Sequence, residues 1–221
     1  MGHTASIAGD YLVTRLIMEK AGALVAETFD DFNDLAAMAC SFADLKIKNG
    51  NTFFLSNAGF EAAGMADGVS GIVTADMSPE LAAEMAGTLK EFKLDSIVDA
   101  KNPLDITPMA NDGAIGGIVK SALSSDEFSG AVVSMVPLTP AMNTLPKGGS
   151  WPDDMEKSFL KEAAEAARAA RKPLLFCVAA GTIYEPYCAW AQELGLPVFR
   201  SSDRAIKVYR QYLEYVFGEL N

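Results

Sequence analysis

A single histidine, His3, is the residue of this 221-residue chain that is best suited to covalent chemistry. Its neighbours over residues 2–9 are mostly glycine, alanine and serine, which let a segment move freely or approach another surface closely. A neutral imidazole is a good nucleophile and forms covalent intermediates. His3 is therefore a candidate carrier of a transferred group. The alternative is an inert histidine near a terminus, or part of an expression tag.

A second candidate is the turn Asn57-Ala58-Gly59, between a predicted strand over Thr52–Ser56 and a predicted helix. The start of a helix offers free N–H groups and about half a positive charge, which suit a phosphate. Glu61 would place a negative charge in the first turn of that helix and repel an anion nearby. Two interpretations stay open: a helix N-terminus that faces phosphate, and a tight turn that needs its glycine.

Asn102 and Asp105 form a third candidate, in a segment that Pro103 and Pro108 make rigid. Both polar side chains can bond to nearby backbone amides. The segment is either a rigid loop at a strand end or the wall of a ligand cleft. The chain has no phosphate-binding P-loop, no GxGxxG motif and no Ser-His-Asp set. We therefore expect a partner or a further domain to complete any active site.

The composition excludes several classes of function. The formal net charge of −11 disfavours nonspecific binding to nucleic acids or anionic membranes. No apolar run approaches the ~20 residues of a membrane helix, and no signal peptide is visible, so we expect a cytoplasmic protein. Three cysteines without a CxxC pair and one histidine argue against a metal site. Cys40 and Cys177 lie in apolar runs and are predicted to be buried thiols.

The elements that must position these residues alternate along the chain. Predicted strands cover residues 52–56, 72–74, 131–136, 173–178 and 197–199, and predicted helices separate most of them. This pattern predicts an α/β fold, a flavodoxin-like doubly wound parallel sheet of about five strands. Residues 47–221 form that domain in this interpretation, and residues 1–46 precede it as a helical extension. The longest loop, over residues 138–151, follows a strand at the side where such sheets bind ligands.

Several helix ends are also predicted. The first helix is expected over residues 7–21, and Asp30 and Asp31 are expected at the start of the second. Ser78 is expected to cap a helix whose first residue is Pro79. A long alanine-rich helix is expected to begin at residue 153 or 154, and the last helix is expected to be capped at residue 202 or 203.

Six segments, in order, resemble the NDP-forming acyl-CoA synthetases, the ADP-forming acetyl-CoA synthetase branch of the succinyl-CoA synthetase superfamily. The segment from His3 to Asp10 is similar to the family's Ser-His-Thr-Gly-Ala-Leu-Ala-Gly. The others are residues 21–23 with the acidic stretch 30–35, the turn 57–59, the segment 102–105 and the stretch 195–201. The resemblance covers essentially the whole chain and identifies it with the C-terminal portion of an alpha-subunit-like region.

The resemblance implies a mechanism. Acyl-CoA, ADP and phosphate interconvert with carboxylate, ATP and CoA through a phosphohistidine, here His3, on the tail formed by residues 1–46. Asn57, Ala58 and Gly59 match a turn whose helix faces the phosphate. Asn102 and Asp105, the candidate cleft loop, lie in another segment of the resemblance. The complete enzyme is expected to use CoA, ATP or ADP and Mg²⁺, and to need an upstream CoA-binding domain and an ATP-grasp domain or subunit in a homo- or hetero-oligomer. No nucleic acid, membrane or structural metal is implied.

One departure and two alternatives accompany the resemblance. The family's turn usually continues Gly-Gly-Pro-Gly after Asn-Ala, whereas here Gly59 is followed by Phe60 and Glu61. The isolated chain is expected to be inactive as an acid–thiol ligase. The alternatives are a non-catalytic module that senses ligands, as in fusions with acetyltransferases, and a plain interaction domain.

Overall fold

The structure is a computed structural model that describes residues 9–45, 47–68, 72, 75–144 and 156–218. Eight α-helices are described: α1 (Tyr11–Lys20), α2 (Phe29–Phe42), α3 (Gly59–Gly68), α4 (Pro79–Glu91), α5 (Asp112–Ser124), α6 (Phe159–Ala170), α7 (Glu185–Glu193) and α8 (Ser202–Phe217). The described strands are β1 (Thr52–Ser56), β2 (Leu104–Asp105), β3 (Gly130–Met135), β4 (Leu174–Val178) and β5 (Val198–Phe199).

The five strands form one parallel sheet in the order β2-β1-β3-β4-β5. This is the flavodoxin-like order, so the predicted α/β fold and strand number are confirmed. One strand of the sheet differs from the prediction, because β2 lies in the proline-containing segment that was interpreted as a loop. Of the strand predicted over residues 72–74, residue 72 is not in a strand and the other two lie outside the described residues.

Both faces of the sheet are covered, which explains why its strands are almost continuously apolar. One face packs against α2, α3 and α8 and contributes Phe54, Val132 and Leu175 to a shared core. The opposite face, with Phe53 and Val133, packs against α4, α5, α6 and α7. The central strands β1, β3 and β4 are buried along their entire length. Functional side chains can therefore reach solvent only where strands end.

The helix ends follow local capping. Ser78 accepts a hydrogen bond from the Leu81 amide and Pro79 opens α4, as predicted. Three predicted starts were wrong. Helix α1 begins at Tyr11 because Asp10 caps it, α6 begins at Phe159, and α8 is capped by Ser201 rather than by residue 202 or 203. Asp10 and Ser201 accept hydrogen bonds from backbone amides in the first turns of α1 and α8. Helix α6 has no side-chain cap, and the Phe159 amide donates instead to Asp112 of α5.

Helix α5 was missed because it contains three glycines, which lower helix propensity. Those glycines let neighbouring helices approach. A Cβ atom at Gly113 would lie 2.8 Å from the Phe92 ring, and one at Gly117 would lie 3.0 Å from Thr88 of α4. On the other side, a Cβ atom at Gly116 would lie 2.6 Å from the Glu162 carboxylate of α6. Because glycine has no side chain, these positions allow close packing between helices, although they weaken the helix propensity of α5.

Helix α2 is attached to the domain by apolar and ionic contacts with α8. Leu35, Met38 and Phe42 are buried in the core that α8 shares. The Lys207 ammonium lies 2.9 Å from the Asp31 carboxylate, and this hydrogen bond lowers the pKa of Asp31. The assignment of residues 1–46 to an extension separate from residues 47–221 stays a prediction, although α2 packs as part of the core.

The close approach at Gly130, the first residue of β3, gives a stability prediction. A Cβ atom there would lie 2.6 Å from the Tyr209 hydroxyl and 3.1 Å from the Pro173 carbonyl oxygen. Because the backbone oxygen cannot move aside cheaply, we expect Gly130→Ala to lower the free energy of unfolding by about 2 kcal/mol. Gly87→Ala is the matched control, since nothing lies within 4 Å of its added Cβ and α4 should gain ~0.5–1 kcal/mol. Urea denaturation measures both, and equal effects would contradict the packing argument.

Candidate functional site

The strand order reverses between β1 and β3, and ligands of doubly wound sheets bind at the carboxyl ends of the strands at such a point. Asn57, Ala58 and Gly59 follow β1 directly and lead into α3. Asp105 ends the neighbouring strand β2, and its partner in the ladder is Ser56, the last residue of β1. The predicted turn and the predicted cleft residue Asp105 therefore meet at this edge.

The side chain of Asn57 crosses the switch point instead of facing solvent. Its Nδ2 donates to the Val136 carbonyl oxygen at 3.0 Å, and its Oδ1 accepts from the Val136 amide at 2.8 Å. A further contact joins Nδ2 to the Met142 sulfur at 3.5 Å. With 1% of its surface exposed, Asn57 joins the ends of β1 and β3. Its role in the described structure is to position the turn.

Gly59 and Asp105 lie against each other at the start of α3. A Cβ atom on Gly59 would lie 2.9 Å from Oδ2 of Asp105, so a side chain at this position would displace the carboxylate. The other oxygen, Oδ1, accepts from the Thr107 amide at 3.0 Å. Thr107 has a φ of 66°, a left-handed conformation that is strained for a β-branched residue. The N-terminus of α3 thus already faces a carboxylate.

Glu61 forms a buried polar cluster that joins three elements. Its Oε2 accepts from the Ser134 hydroxyl of β3 at 3.0 Å and from the Ser202 hydroxyl of α8 at 2.6 Å. The residue lies in the first turn of α3 and contacts the first residue of α8, and helix N-termini favour negative charge. Burial, followed by the nearby Glu61 charge, raises the pKa of the Cys177 thiol, which is therefore not a reactive thiolate.

A second buried carboxylate, Asp112, fixes the loop after β3. It accepts from the backbone and side-chain amides of Asn143 at 2.7 and 3.0 Å, and from the Phe159 amide at 2.9 Å. Burial raises the pKa of Asp112, and these hydrogen bonds oppose the shift. The described part of the predicted longest loop is thus held to the starts of α5 and α6.

Asn102 is not at this edge. Its side chain bonds to the backbone of β1, accepting from the Phe54 amide at 2.9 Å and donating to the Thr52 carbonyl oxygen at 2.9 Å. These contacts replace strand pairing along the first part of β1, since β2 pairs only with Leu55 and Ser56. His3 lies outside the described residues.

Other expectations concern cysteines, metals and membranes. Cys177 and Cys188 are buried, but Cys40 is exposed, so its predicted burial was wrong. It lies on the outer side of α2, whose buried positions are Asp31, Leu35, Met38 and Phe42. Among the described residues, no group of three or more histidine, cysteine or acidic side chains could hold a metal ion. No helix in this part of the chain is long and apolar enough to cross a membrane.

Sequence reasoning missed Ser134 and Ser202 as the partners of Glu61, and it missed the buried carboxylate of Asp112. Ser134 interrupts the apolar run of β3, which was a usable signal for a buried polar partner. The contribution of Ser202 could not be found in the same way, because it depends on where α8 packs. Asp112 was missed because α5, which it begins, was not predicted; the glycines of α5 lower its helix propensity.

Comparison with known proteins shows that the chain is similar to acyl-CoA synthetases in sequence and fold. No family model matches it. The alpha subunit of ADP-forming acetate–CoA ligase I from Pyrococcus furiosus is 24% identical over 210 residues, which cover 93% of this chain and 41% of that protein. The chain therefore spans about two fifths of the curated relative, and the resemblance read from its sequence segments is confirmed.

Solved structures agree on the fold. The dinucleotide-forming acetyl-coenzyme A synthetase 1 of Ca. Korarchaeum cryptofilum, in complex with phosphate and ADP, matches with a TM-score of 0.77 at 20% identity, covering 97% of this chain and 43% of that one. Its apo form gives a TM-score of 0.76 at 20% identity, covering 96% and 43%. A protein from Pyrococcus horikoshii OT3 gives 0.72 at 18% identity, covering 95% and 45%.

The two hydrogen bonds between Asn57 and Val136 give a prediction about the site's framework. Asn57→Ala removes both and leaves backbone groups without partners, so we expect the free energy of unfolding to fall by about 2 kcal/mol. Asn33→Ala is the control, because Asn33 is exposed on α2 and its loss should change stability by no more than ~0.5 kcal/mol. Chemical denaturation compares the two variants. An Asn57→Ala protein as stable as the control would show that the bridge does not hold the turn.

Proposed function

We propose that this chain, which resembles the alpha subunit of ADP-forming acetate–CoA ligase along nearly its whole length, is part of an NDP-forming acyl-CoA synthetase. The complete enzyme would interconvert acyl-CoA, ADP and phosphate with carboxylate, ATP and CoA. The observation that carries the proposal is the joint agreement of sequence and fold, with 93% of the chain aligned to the ligase subunit and 97% superposed on the synthetase.

In this proposal His3 accepts the phosphoryl group from an acyl phosphate and passes it to ADP. One residue that carries the group between two sites makes each transfer effectively intramolecular, which lowers its entropic cost. The glycine, alanine and serine residues around His3 suit a segment that must reach both sites. The acid–thiol ligase activity requires domains beyond this chain, so the isolated chain would be inactive.

The helix start formed by Asn57, Ala58 and Gly59 would face the phosphorylated histidine. The backbone amides of Gly59 and Phe60 would supply the attraction, since helix N-termini bind phosphate without basic side chains, whereas the Ala58 amide already donates to the Ser56 hydroxyl at 3.1 Å. Asp105 opposes that attraction from beside Gly59, whereas Glu61 is held by Ser134 and Ser202. Within this proposal, Asp105 sets how strongly the edge attracts an anion, and Asn102 supports the strand behind it.

The remaining requirements of the reaction come from elsewhere in the enzyme. The proposal includes a CoA-binding domain and an ATP-grasp domain or subunit, assembled as a homo- or hetero-oligomer in the cytoplasm. CoA, ATP or ADP and Mg²⁺ would bind mainly to those parts. The described edge of this chain holds no cluster of basic side chains that would bind a nucleotide by charge.

A second candidate is a non-catalytic module that senses a ligand within a larger protein. It is favoured by one observation, the placement of the carboxylates of Glu61 and Asp105 at the helix start where a phosphate-facing site would need positive potential. In that case the edge would serve contacts between domains and His3 would not be phosphorylated.

Phosphoryl transfer to His3 is tested in the complete synthetase with γ-labelled ATP. We expect label in the peptide that contains His3, lost on acid treatment as phosphohistidine is, and abolished by His3→Ala. Ser6→Ala is the control in the same segment and should keep full labelling. Undiminished labelling of the His3→Ala protein would contradict the phosphohistidine and favour the non-catalytic module.

The phosphate-facing role of α3 is tested by titrating this chain with inorganic phosphate and following the backbone amides of Gly59 and Phe60 by NMR. Asp105→Asn should bind phosphate about fivefold more tightly than the natural chain, because two unit charges 4 Å apart repel by ~1 kcal/mol in water. The amide of Leu81 is the internal control, since the Ser78 hydroxyl already caps it. If phosphate changes the amide chemical shifts of neither Gly59 nor Phe60 in either protein, α3 does not face the phosphate.

A further inference from the structure

Three positively charged side chains line a cavity at the amino edge of the sheet, opposite the edge described above. Lys48 precedes β1, and Arg171 and Lys172 lie between α6 and β4. Together with Asp126 and four uncharged residues they line a cavity of about 290 Å³, which we call the amino-edge cavity. Three cations and one carboxylate leave an excess of positive charge there, on a chain whose formal net charge is −11. A concave surface with such an excess attracts anions.

The positive charges of Arg171 and Lys172 are held in place by uncharged groups. The Arg171 guanidinium donates to the Asp44 carbonyl oxygen at 2.6 Å. The Lys172 ammonium donates to the carbonyl oxygens of Leu123 and Ser125, beside the end of α5. Carbonyl oxygens near helix ends favour cations, but they do not neutralise them. Neither side chain forms an ion pair with a carboxylate in the described part of the chain.

The carboxylate of Asp126 compensates these charges only in part. It lies 2.9 Å from the Lys48 ammonium, and the two side chains are 92% and 69% exposed, so that the pair is weak. Burial lowers the pKa of the Lys172 ammonium, Asp126 opposes this shift, and the positive charge of Lys48 adds to it. An anion bound between two like charges relieves their repulsion. The cavity therefore gains stability when an anion enters.

The donors in the cavity suit a phosphate group. A guanidinium offers five N–H donors in a planar fork that matches phosphate oxygens, and Arg171 uses one of its nitrogens on the Asp44 carbonyl oxygen. The Ser124 hydroxyl, also in the lining, can donate as well. Phosphate carries up to two negative charges near pH 7. The volume lies at the lower end of that of small-molecule pockets, ~300 Å³, which favours a phosphate group over an entire nucleotide.

We propose that the amino-edge cavity binds a phosphate group, carried either by inorganic phosphate or by the end of a nucleotide. Lys48, Arg171 and Lys172 would contact the group, and Asp126 would oppose it. The cavity lies at the ends of β1, β3 and β4 that are opposite Gly59, so it is distinct from the phosphate-facing turn of the proposed function and does not depend on it.

Titration of the 221-residue chain with inorganic phosphate, and separately with ADP, tests the proposal by NMR at constant ionic strength. We expect saturable changes in the amide chemical shifts of Ser124, Asp126 and Lys172, while the Leu81 amide stays unchanged. Saturation at a lower concentration of ADP would identify a nucleotide as the carrier, and the reverse order would identify inorganic phosphate; both support the proposal. Changes that do not saturate, or no change with either compound, would overturn it.

The same spectra separate this site from the proposed function. The amides of Gly59 and Phe60 report on the turn before α3, and that of Lys172 reports on the amino-edge cavity. A response of Lys172 without one at Gly59 would support the cavity and contradict the phosphate-facing role of α3. The opposite result would support that role and overturn the cavity as a phosphate site.

Two pairs of variants show whether the charges in the cavity are responsible. Arg171→Gln should weaken phosphate binding about fivefold, whereas Lys93→Gln should not; both residues are exposed cations that follow a helix, with φ values of 55° and 60°. Asp126→Asn should tighten binding about fivefold, and Asp95→Asn, at another exposed carboxylate, should leave it unchanged. Equal effects within each pair would show a response to net charge alone and overturn the proposal.

Discussion

The parallel sheet is buried on both faces, and its backbone must satisfy every hydrogen bond without water. Strand β2 is too short to pair with the first part of β1, so the Asn102 side chain bonds to Thr52 and Phe54 in its place. At the other end, the Asn57 side chain bonds to both backbone groups of Val136. The same need for partners determines which polar residues the sheet can tolerate, and it confines potentially reactive groups to the edge where strands end.

The carboxyl edge of the sheet is where the proposed phosphate-facing role meets an opposing feature of this chain, namely its carboxylates. An anion could be attracted by the N-termini of α3 and α8, yet Glu61 already places a carboxylate between them. Because two serine hydroxyls donate to it, this charge is stabilised inside the fold and directed away from solvent. Asp105 is different, since it lies beside Gly59 at the open end of the turn. In the proposed synthetase, the net attraction of this edge for phosphate would therefore depend on backbone amides that are opposed by one partly exposed carboxylate.

The fold could be predicted from the sequence because its signals are local and repeated. The apolar run of β1 and the Ser78-Pro79 start of α4 specify an element by themselves. The two-residue strand β2 carries no such signal, and its pairing depends on the Asn102 side chain and on the neighbouring strand. Helix α5 was hidden for a related reason, because its glycines are useful only against α4 and α6.

The site was predictable only in part, because its contacts depend on tertiary packing and not on local sequence signals. Spacing placed Gly59 at a turn and Asp105 at a strand end, but their contact depends on how the two strands pair. Asn57 shows the limit most clearly, since a polar residue after a strand is consistent with a ligand contact and with a backbone bridge. Only its three-dimensional surroundings show that both of its polar atoms are already bonded to Val136.

Most of the remaining exposed apolar residues lie at the carboxyl edge of the sheet. Outside α1, the start of α2 and the end of α8, five large apolar residues are exposed among the described residues: Phe60, Ile97, Met109, Leu138 and Ile183. All of them except Ile97 follow a strand, each a different one from β1 to β4, at the carboxyl edge. The polar groups at that edge are mostly bonded to one another, so it offers shape and apolar contact more than reactive groups. In the proposed synthetase, this chain would contribute a scaffold and the N-terminus of α3, and the segment around His3 would bring the reacting group to it.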